Sequence, residues 1–317
     1  MALHPQVEAY LRQMEALALS PAWEIGAAAT RERARAALGT IPPGPELPRV
    51  EDRSVPGPAG AIPVRVYWPS AERGLPVLVW FHGGGWVLGS VDQDDANCRR
   101  AAERSGAIVV SVEYRMAPED VAPASFEDCL AATAWAAEHA SELGGDATRL
   151  AVGGASAGGN LAAAVALHAR DHGGPALAYQ LLVYPVTDSR MDSASYVSNG
   201  EGFGLSRQGM EWFWDQYVPA GGAVSRDDPR VSPAHADDLS GLPRAHVITA
   251  EYDPLRDEGE AYATRMEAAG VPVRVDRVPG HLHGFYSNPH IFDAGERWIT
   301  EASTALRSAL AGAGAPA

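Results

Sequence analysis

Cysteine, long apolar runs and clustered basic side chains are all scarce in this 317-residue chain. Its two cysteines, Cys98 and Cys129, form no C-x-x-C pair and show no metal-type spacing to histidine, which argues against a disulfide framework and indicates a reducing compartment. No apolar run approaches the roughly 18 residues needed to span a bilayer. Glu8 and Glu15 interrupt the stretch where a secretory signal would be apolar. These absences predict a cytoplasmic protein with no membrane partner.

The charge balance is acidic, with a formal net charge of -15 and a sequence pI near 5.0. Nucleic acids and anionic membranes are bound through clustered Lys and Arg side chains, so neither is expected as the main partner. Apolar residues make up 46% of the chain and charged residues 21%, which indicates a large packed core rather than disorder.

Strand-like and helix-like segments alternate along most of the chain. Runs typical of strands are "VRVYW", "PVLVWF", "AIVVSVEY", "RLAVGGA", "YQLLVYP", "AHVITAE" and "VRVDRVP", and Ala-rich segments of helical period separate most of them. Near-continuous apolar strands separated by helices are typical of a mostly parallel sheet that is covered on both faces. The sequence therefore predicts an α/β fold with a sheet of about eight strands.

Two segments depart from this alternation and are predicted to form a helical cap. Residues 1–45 begin with Ala-, Leu- and Arg-rich helical patterns that "IPPGPELP" ends. Residues 188–230 follow a strand without a return strand and contain "SRQGMEWFWDQYV", a short helix with Ser206 as its N-cap. The main α/β domain is then expected from residues 46–187 and 231–317, which form one structural unit.

The stretch "AVGGASAGGN" contains a G-x-S-x-G motif formed by Gly154, Ser156 and Gly158. It lies between a strand and an Ala-rich helix, which is the context of a nucleophile elbow, where a tight turn holds a serine in a strained backbone conformation. The hydroxyl then lies above the carboxyl edge of the sheet, and the amide of Ala157 opens a helix whose positive end can face an anion. The motif predicts Ser156 as a catalytic nucleophile.

A carboxylate follows Ser156 where the chain order of such sites, serine, acid and then histidine, requires one. A serine hydroxyl needs a base to act as a nucleophile, and the base needs a carboxylate that orients it. Asp253 follows the apolar strand "AHVITA" and is predicted for this role, in competition with Glu251 and Asp257. Asp257 falls in the next helix and is better interpreted as a first-turn charge.

Two histidines compete for the role of the base. His281 and His283 both follow the strand "VRVDRV", at the strand ends where open α/β sheets build their sites. They are two residues apart, so in an extended loop their side chains point to opposite sides. The spacing alone leaves the choice between them open.

A Gly-rich loop, "FHGGGWVLG" at residues 81–89, overlaps the end of the apolar strand "LPVLVWF". Acyl transfer through a tetrahedral intermediate needs preorganised donors that face the developing oxyanion. Backbone amides of residues without Cβ atoms can approach the substrate carbonyl closely. The amides of Gly83 and Gly84, together with that of Ala157, are therefore predicted to form an oxyanion hole.

Motifs along almost the whole chain resemble those of the bacterial hormone-sensitive-lipase-like (family IV) esterases of the α/β-hydrolase superfamily. They include "FHGGGWVLG", "CRRAAERSGAIVVSVEYRMAPE", "GASAGGNLAAAVAL", "LLVYP" and "GHLHGF". The resemblance implies an α/β-hydrolase fold, with Ser156 as nucleophile, Asp253 as orienting acid and His283 as base. It also implies that His82, next to the Gly-rich loop, is structural.

The predicted substrate pocket is lined by side chains near these motifs and in the cap, namely Trp86, Asp94, Phe203, Leu205, Trp212, Leu255 and Phe285. The family often has His–Asp where this chain has Asp94–Asp95, and an apolar residue where it has Asn97. The mouth of the pocket is therefore expected to be more acidic and polar than in relatives, which favours cationic or polar substrates.

These features predict a carboxylesterase for short- to medium-chain esters that works through an acyl-enzyme without metal or cofactor. The alternatives are a specialised deacetylase, a lactonase, or an amide or carbamate hydrolase on the same triad. A non-catalytic small-molecule receptor is a further alternative, which His283 disfavours because receptors that resemble this family have lost the catalytic histidine. The expected partner is a small-molecule ester. Relatives often dimerise through an edge strand, and "VPVRVDRV" is the corresponding segment for a homodimer here.

Overall fold

A sheet of eight strands forms the centre of the computed structural model, which describes residues 2–311. The strands are β1 (Arg49–Gly57), β2 (Gly60–Trp68), β3 (Leu75–Phe81), β4 (Ile108–Val112), β5 (Gly145–Ala155), β6 (Tyr179–Val183), β7 (Arg244–Tyr252) and β8 (Val273–Leu282). Their order across the sheet is β1-β2-β4-β3-β5-β6-β7-β8. β2 is antiparallel to both β1 and β4, and all other neighbouring pairs are parallel. The predicted mostly parallel sheet is confirmed.

Helices cover both faces of this sheet. They are α1 (Pro5–Leu17), α2 (Ala22–Ala36), α3 (Val91–Ser105), α4 (Ala124–Glu138), α5 (Ala140–Leu143), α6 (Ala157–Asp171), α7 (Ala194–Ser198), α8 (Arg207–Tyr217), α9 (Arg256–Ala268) and α10 (Asp293–Ala311). α4, α6 and α9 pack on one face, and α1, α3 and α10 pack on the other. No helix within residues 2–311 is long and apolar enough to cross a membrane.

The central strand β3 shows how a continuous apolar run serves both faces. Val77, Val79 and Phe81 belong to the core on the α4 and α6 side. Leu78 and Trp80 belong to the core on the α3 and α10 side. Because successive side chains of a strand point to opposite faces, a strand between two helix layers is apolar at every position. β3 ends at the carboxyl edge of the sheet, directly before the Gly-rich loop.

The edge strand β1 is the one strand that hydrophobic patterning did not predict. Most of its side chains are exposed or half-buried, and only Val55 is buried. Glu51 is paired with Arg49 and Arg53 on the same strand. Edge strands often carry charged side chains, because these charges prevent pairing with the strands of other chains. Such a strand shows little of the hydrophobic pattern from which strands are predicted.

The predicted cap segments fold as helices with different neighbours. The predicted N-cap of α8 is confirmed, since the Ser206 hydroxyl accepts a hydrogen bond from the amide of Gly209 at 3.0 Å. α1 lies against the main domain, where the amide of His4 donates to the carbonyl of Gly280 at 2.9 Å. α2 instead lies beside α8. Residues 1–45 therefore divide between two surfaces of the molecule, and the domain boundaries remain a prediction.

Candidate active site

The turn between β5 and α6 has the geometry of a nucleophile elbow. Ser156 adopts φ 58° and ψ -119°, a strained conformation for a residue with a side chain. A Cβ on Gly154 would lie 2.3 Å from the backbone of Gly158, and one on Gly158 would lie 1.9 Å from the carbonyl oxygen of Phe81. Only glycine fits either position, because the chain reverses in contact with itself and with the end of β3.

Three side chains from three separate loops form one hydrogen-bonded chain. The Nε2 atom of His283 lies 3.0 Å from the Oγ of Ser156, and its Nδ1 lies 2.7 Å from Oδ2 of Asp253. Asp253 is fully buried, and its second oxygen accepts a hydrogen bond from the amide of Leu255 at 2.9 Å. A neutral imidazole that donates Nδ1–H to this carboxylate leaves Nε2 free to accept the serine proton. The geometry can therefore activate the hydroxyl.

The competing carboxylates have other partners. Glu251 accepts a hydrogen bond from the amide of Gly280 at 2.7 Å. Asp257 accepts one from the amide of Ser195 at 2.8 Å and forms an ion pair with the neighbouring Arg256. These acids hold neighbouring loops in place, so Asp253 alone of the three reaches the histidine.

His281 faces away from the serine, as the alternation along an extended segment requires. Its ring stacks on that of His4, with centroids 4.8 Å apart. Burial, together with the nearby charges of His4 and Arg297, lowers the pKa of His281 from its ordinary value of 6.5 to about 4. His281 thus anchors α1 to the end of β8 as a neutral ring.

This depressed pKa predicts a pH-dependent contribution to stability. The unfolded chain protonates His281 near pH 6.5 and the folded chain only near pH 4, so the contribution is complete above pH 6.5 and is lost as the pH falls through 4. Between about pH 7 and pH 5 the loss from this group amounts to about 2 kcal/mol. Urea unfolding at these two pH values should show a smaller decrease in the free energy of unfolding for His281→Asn than for the wild type. Equal losses would contradict the prediction.

The Gly-rich loop lies directly against the elbow. A Cβ on Gly83 would lie 3.0 Å from the carbonyl oxygen of Ala155 and 3.6 Å from the Cβ of Ser156. Gly84 has φ 121°, which a residue with a side chain rarely adopts. Within residues 2–311, neither loop amide donates a backbone hydrogen bond. Ala157 is the first residue of α6, where a helix leaves its amides without an internal acceptor. The three predicted donors therefore lie around Ser156.

Two aromatic side chains hold this loop in place. The hydroxyl of Tyr114 donates to the carbonyl oxygen of His82 at 2.7 Å, and the two rings stack with centroids 4.3 Å apart. The indole Nε1 of Trp86 donates to Oδ1 of Asn160 at 3.2 Å. Asn160 also donates to the carbonyls of Val186 and Val231, at 2.9 and 2.8 Å. These contacts of His82 with Tyr114 agree with the structural role that the resemblance implies, which stays a prediction.

Asn160 was not predicted, although the sequence carries a signal for it. It stands in "SAGGNLAAAVAL", an Ala-rich helix that is buried along most of its length. A fully buried amide in such a helix must find hydrogen-bond partners. Asn160 finds them in the Gly-rich loop and in the two segments that flank the cap insertion.

A cavity of about 450 Å³ opens onto Ser156 and His283. Its apolar wall comes from the cap, the segment after α2 and the Gly-rich loop, with Ile41, Leu88, Leu205, Met210 and Phe213. Its polar wall comes from the start of α3 and the loop after His283, with Gln93, Asp94, Ser287 and Asn288. A cavity with apolar walls and a few polar groups is typical of a small-molecule site.

Two of the predicted pocket residues, Asp94 and Leu205, line this cavity. The structure places the other five elsewhere, namely Trp86, Phe203, Trp212, Leu255 and Phe285. Trp86, Leu255 and Phe285 are fully buried in the core. Phe203 packs on Tyr252, and Trp212 packs on Phe213, which is the aromatic side chain of α8 that does line the cavity. Proximity in sequence to the triad is therefore a poor guide to the cavity lining, because the residues next to the catalytic ones point into the core.

Arg31 ties α2 to the loop that follows the glycines. Its Nε donates to the carbonyl of Val87 at 2.7 Å and its Nη2 to that of Ala117 at 2.6 Å. Its Nη1 also pairs with Glu119 at 2.9 Å. Bonds from one guanidinium to two loops join the cap to the segment that carries the predicted oxyanion amides.

We expect Arg31→Met to destabilise the protein by about 2 kcal/mol, because it leaves two carbonyls without their charged donor. The value of kcat/KM should fall roughly tenfold, since the loop amides lose their fixed position. Arg35→Met on the same helix is the matched control, because Arg35 is two-thirds exposed and, in the described part of the chain, pairs only with Glu32. Urea unfolding and ester hydrolysis measure the two effects, and equal results for both variants would contradict the role of Arg31.

The fold and this arrangement of serine, histidine and carboxylate are typical of the serine hydrolases. A family model described as the alpha/beta hydrolase fold matches residues 78–287, and the chain belongs to this family. The predicted resemblance to bacterial hormone-sensitive-lipase-like esterases and the predicted α/β-hydrolase fold are both confirmed.

Relatives of known name and structure agree with this assignment. The chain is 44% identical to the carboxylic ester hydrolase LipN of Mycobacterium tuberculosis, over 89% of this chain and 76% of that protein. It is 45% identical to the carboxylesterase NlhH of the same species, over 88% of this chain and 89% of that protein. Among solved structures, a thermostable esterase from Pseudomonas putida has 38% identity and a TM-score of 0.91, with 98% of each chain covered.

Proposed function

We propose that this protein is a carboxylesterase that hydrolyses short- to medium-chain esters through an acyl-enzyme. The observation that carries the proposal is the hydrogen-bonded chain from Ser156 through His283 to the buried Asp253. The relatives named as carboxylic ester hydrolases support the reaction class. The dimensions and apolar wall of the cavity support an acyl chain of limited length.

The geometry supports a two-stage reaction. In the first stage, Ser156 Oγ attacks the ester carbonyl while His283 Nε2 takes its proton, and Asp253 stabilises the imidazolium that forms. The amides of Gly83, Gly84 and Ala157 donate hydrogen bonds to the oxyanion of the tetrahedral intermediate. His283 then gives the proton to the departing alcohol, and the acyl group remains on the serine.

In the second stage, His283 accepts a proton from a water molecule as that water attacks the acyl-enzyme. A second tetrahedral intermediate forms in the same oxyanion hole and collapses to the carboxylic acid, and the proton returns to Ser156. Ser156, His283, Gly83 and Gly84 all line one cavity. The bonds and protons of the two stages balance with the ester and one water molecule.

Hydrolysis of p-nitrophenyl esters from acetate to palmitate tests the proposal. We expect turnover to be highest at short acyl chains and to fall at long ones, because the apolar wall is formed by only a few side chains of the cap and the adjoining loops. Turnover that rises toward palmitate would contradict the chain-length assignment. Turnover of p-nitroanilides at rates similar to those of the esters would favour an amide hydrolase on the same residues.

A cytoplasmic location and a homodimer are further parts of the proposal. Cys98 and Cys129 are both buried and unpaired, which supports a reducing compartment. β8 is the last strand of the sheet, and Val275 on it is 40% exposed, which supports pairing of two such edges. A monomer in light scattering at micromolar concentration would remove the homodimer.

A further inference from the structure

The carboxylate of Asp94 is a charged group in the cavity wall that the proposed reaction does not use. Asp94 lies in the first turn of α3 and is 7% exposed. Its oxygens accept hydrogen bonds from Trp80 Nε1 at 2.5 Å and Asn97 Nδ2 at 3.0 Å. Both donors are neutral, so they orient the carboxylate without neutralising it.

No cation among the described residues neutralises Asp94. Its neighbours on α3, Asp92 and Asp95, both pair with Arg65. Asp94 forms no such pair within residues 2–311, although a desolvated carboxylate is normally retained with one. Asp94 lines the same cavity as Ser156 and His283, so a substrate bound at the triad lies near this carboxylate.

The described lining of the cavity contains no side chain that offsets this charge. Asp94 is the only carboxylate in it, and it includes no arginine. The chain as a whole has no lysine. The remaining titratable lining groups are Tyr184 and the imidazoles of His82 and His283. A substrate in the cavity therefore meets a negative potential on its polar side.

A second cavity adjoins the first and contains arginines, but each of them is already paired. The two cavities share Ala34, Gly89, Ser90 and Gln93. The arginines of the second cavity and their partners are Arg31 with Glu119, Arg35 with Glu32, Arg53 with Glu51, and Arg65 with Asp52. Each of these arginines therefore has a carboxylate partner, whereas Asp94 has no cationic partner within residues 2–311.

We propose that the active-site cavity selects esters that carry a quaternary or primary ammonium group, which binds beside Asp94 while the apolar part lies against the cap. This inference rests on the proposed esterase function and names its substrate class. The apolar lining of Leu205, Met210 and Phe213 suits the hydrocarbon part of such a molecule. An incoming cation would supply the counter-charge that the described residues do not provide.

A pair of esters that differ only in charge tests the proposal. Butyrylcholine and its uncharged isostere, 3,3-dimethylbutyl butyrate, present the same carbonyl and nearly the same shape. We expect the wild type to show a kcat/KM for butyrylcholine that is roughly tenfold higher than for the isostere. The ratio should decrease as sodium chloride is added, because salt screens the attraction.

The ratio should fall roughly tenfold in Asp94→Asn, and the use of a ratio cancels any general loss of activity. Asp92→Asn is the matched control, since it removes the same charge from the same helical turn at a side chain that is 63% exposed and lies outside the active-site cavity. If Asp94→Asn does not fold, Asp94→His is the second variant, because the hormone-sensitive-lipase-like esterases often have histidine at this position.

The proposal is overturned if the wild-type kcat/KM for butyrylcholine is equal to or lower than that for the uncharged isostere. It is also overturned if Asp94→Asn and Asp94→His leave the ratio of the two kcat/KM values unchanged. A wild type that hydrolyses neither butyrate nor p-nitrophenyl esters overturns the esterase function itself. A wild type that hydrolyses the neutral esters only overturns the charge selection and keeps the esterase function. If neither Asp94 variant folds, the salt dependence of the wild-type ratio decides.

Discussion

Replacing Ser156 by Ala is expected to lower kcat for ester hydrolysis by roughly 10⁵-fold. The loss is this large because, among residues 2–311, the hydroxyl of Ser156 is the nucleophile that hydrogen-bonds with His283 Nε2, at 3.0 Å. The remaining acceleration over water would come from substrate binding and the oxyanion amides. KM should change little, since the variant keeps the cavity and its lining. Stopped assays with p-nitrophenyl butyrate at high enzyme concentration can measure the residual rate.

Ser303→Ala provides the control for this variant. Ser303 is buried on α10, which packs on the other face of the sheet from α6, and it does not line the cavity. It should retain wild-type kcat, and both variants should unfold cooperatively at similar urea concentrations. A Ser156→Ala enzyme that keeps more than about one hundredth of the wild-type kcat would exclude Ser156 as the nucleophile.

The second large effect is expected for the two neighbouring histidines. His283→Asn should lower kcat by roughly 10⁵-fold, because it removes the group that accepts the serine proton. His281→Asn should stay within about threefold of the wild type, because its ring stacks on His4 and does not contact the triad. Both substitutions remove an imidazole from the same segment. Comparing the two variants therefore separates the loss of the catalytic base from any general effect on the structure of the loop.

The pH profile distinguishes the histidines a second time. The wild type and His281→Asn should show the same rise of kcat/KM with pH, because that rise reports the base of the free enzyme. A comparable loss of activity in both variants would mean that the loop has lost its structure, and circular dichroism would show it. A retained rate in His283→Asn together with a large loss in His281→Asn would reverse the assignment.

Much of the fold and of the candidate site could be predicted because each feature has a local cause. The apolar runs of β3, β4 and β6 are nearly continuous because both faces of the sheet are covered there, as the two core clusters around β3 show. The positions of Gly154 and Gly158 follow from a turn that has no room for a Cβ. Asp253 and His283 follow strands at the same edge of the sheet, where chain order indicates the triad.

Other features depend on contacts that no local pattern encodes. β1 was not predicted because its charges face water and only Val55 is buried. The choice between His281 and His283 depends on which side of a loop faces the serine, and spacing alone left it open. The bonds of Arg31 to Val87 and Ala117 link positions more than fifty residues apart in sequence.

The substrate pocket was the least predictable part of the site. Trp86 is next to the Gly-rich loop in sequence, but its ring lies in the core, where it stacks on Tyr217 at 4.4 Å. Phe213 lines the cavity while its neighbour Trp212 does not, because consecutive helical residues point in different directions. Which face of α8 meets the cavity depends on contacts with parts of the chain that are distant in sequence, such as α2.

The central claim is that Ser156 forms a covalent bond to the substrate during turnover. Reaction of the wild type with diethyl p-nitrophenyl phosphate tests it directly, since attack by the serine oxygen displaces p-nitrophenolate and leaves a diethylphosphoryl group on the enzyme. We expect one p-nitrophenolate per chain, complete loss of esterase activity, and the adduct at Ser156 in tandem mass spectrometry of the peptide that spans the elbow. An adduct on another residue, in a protein whose activity has been lost, would contradict the account.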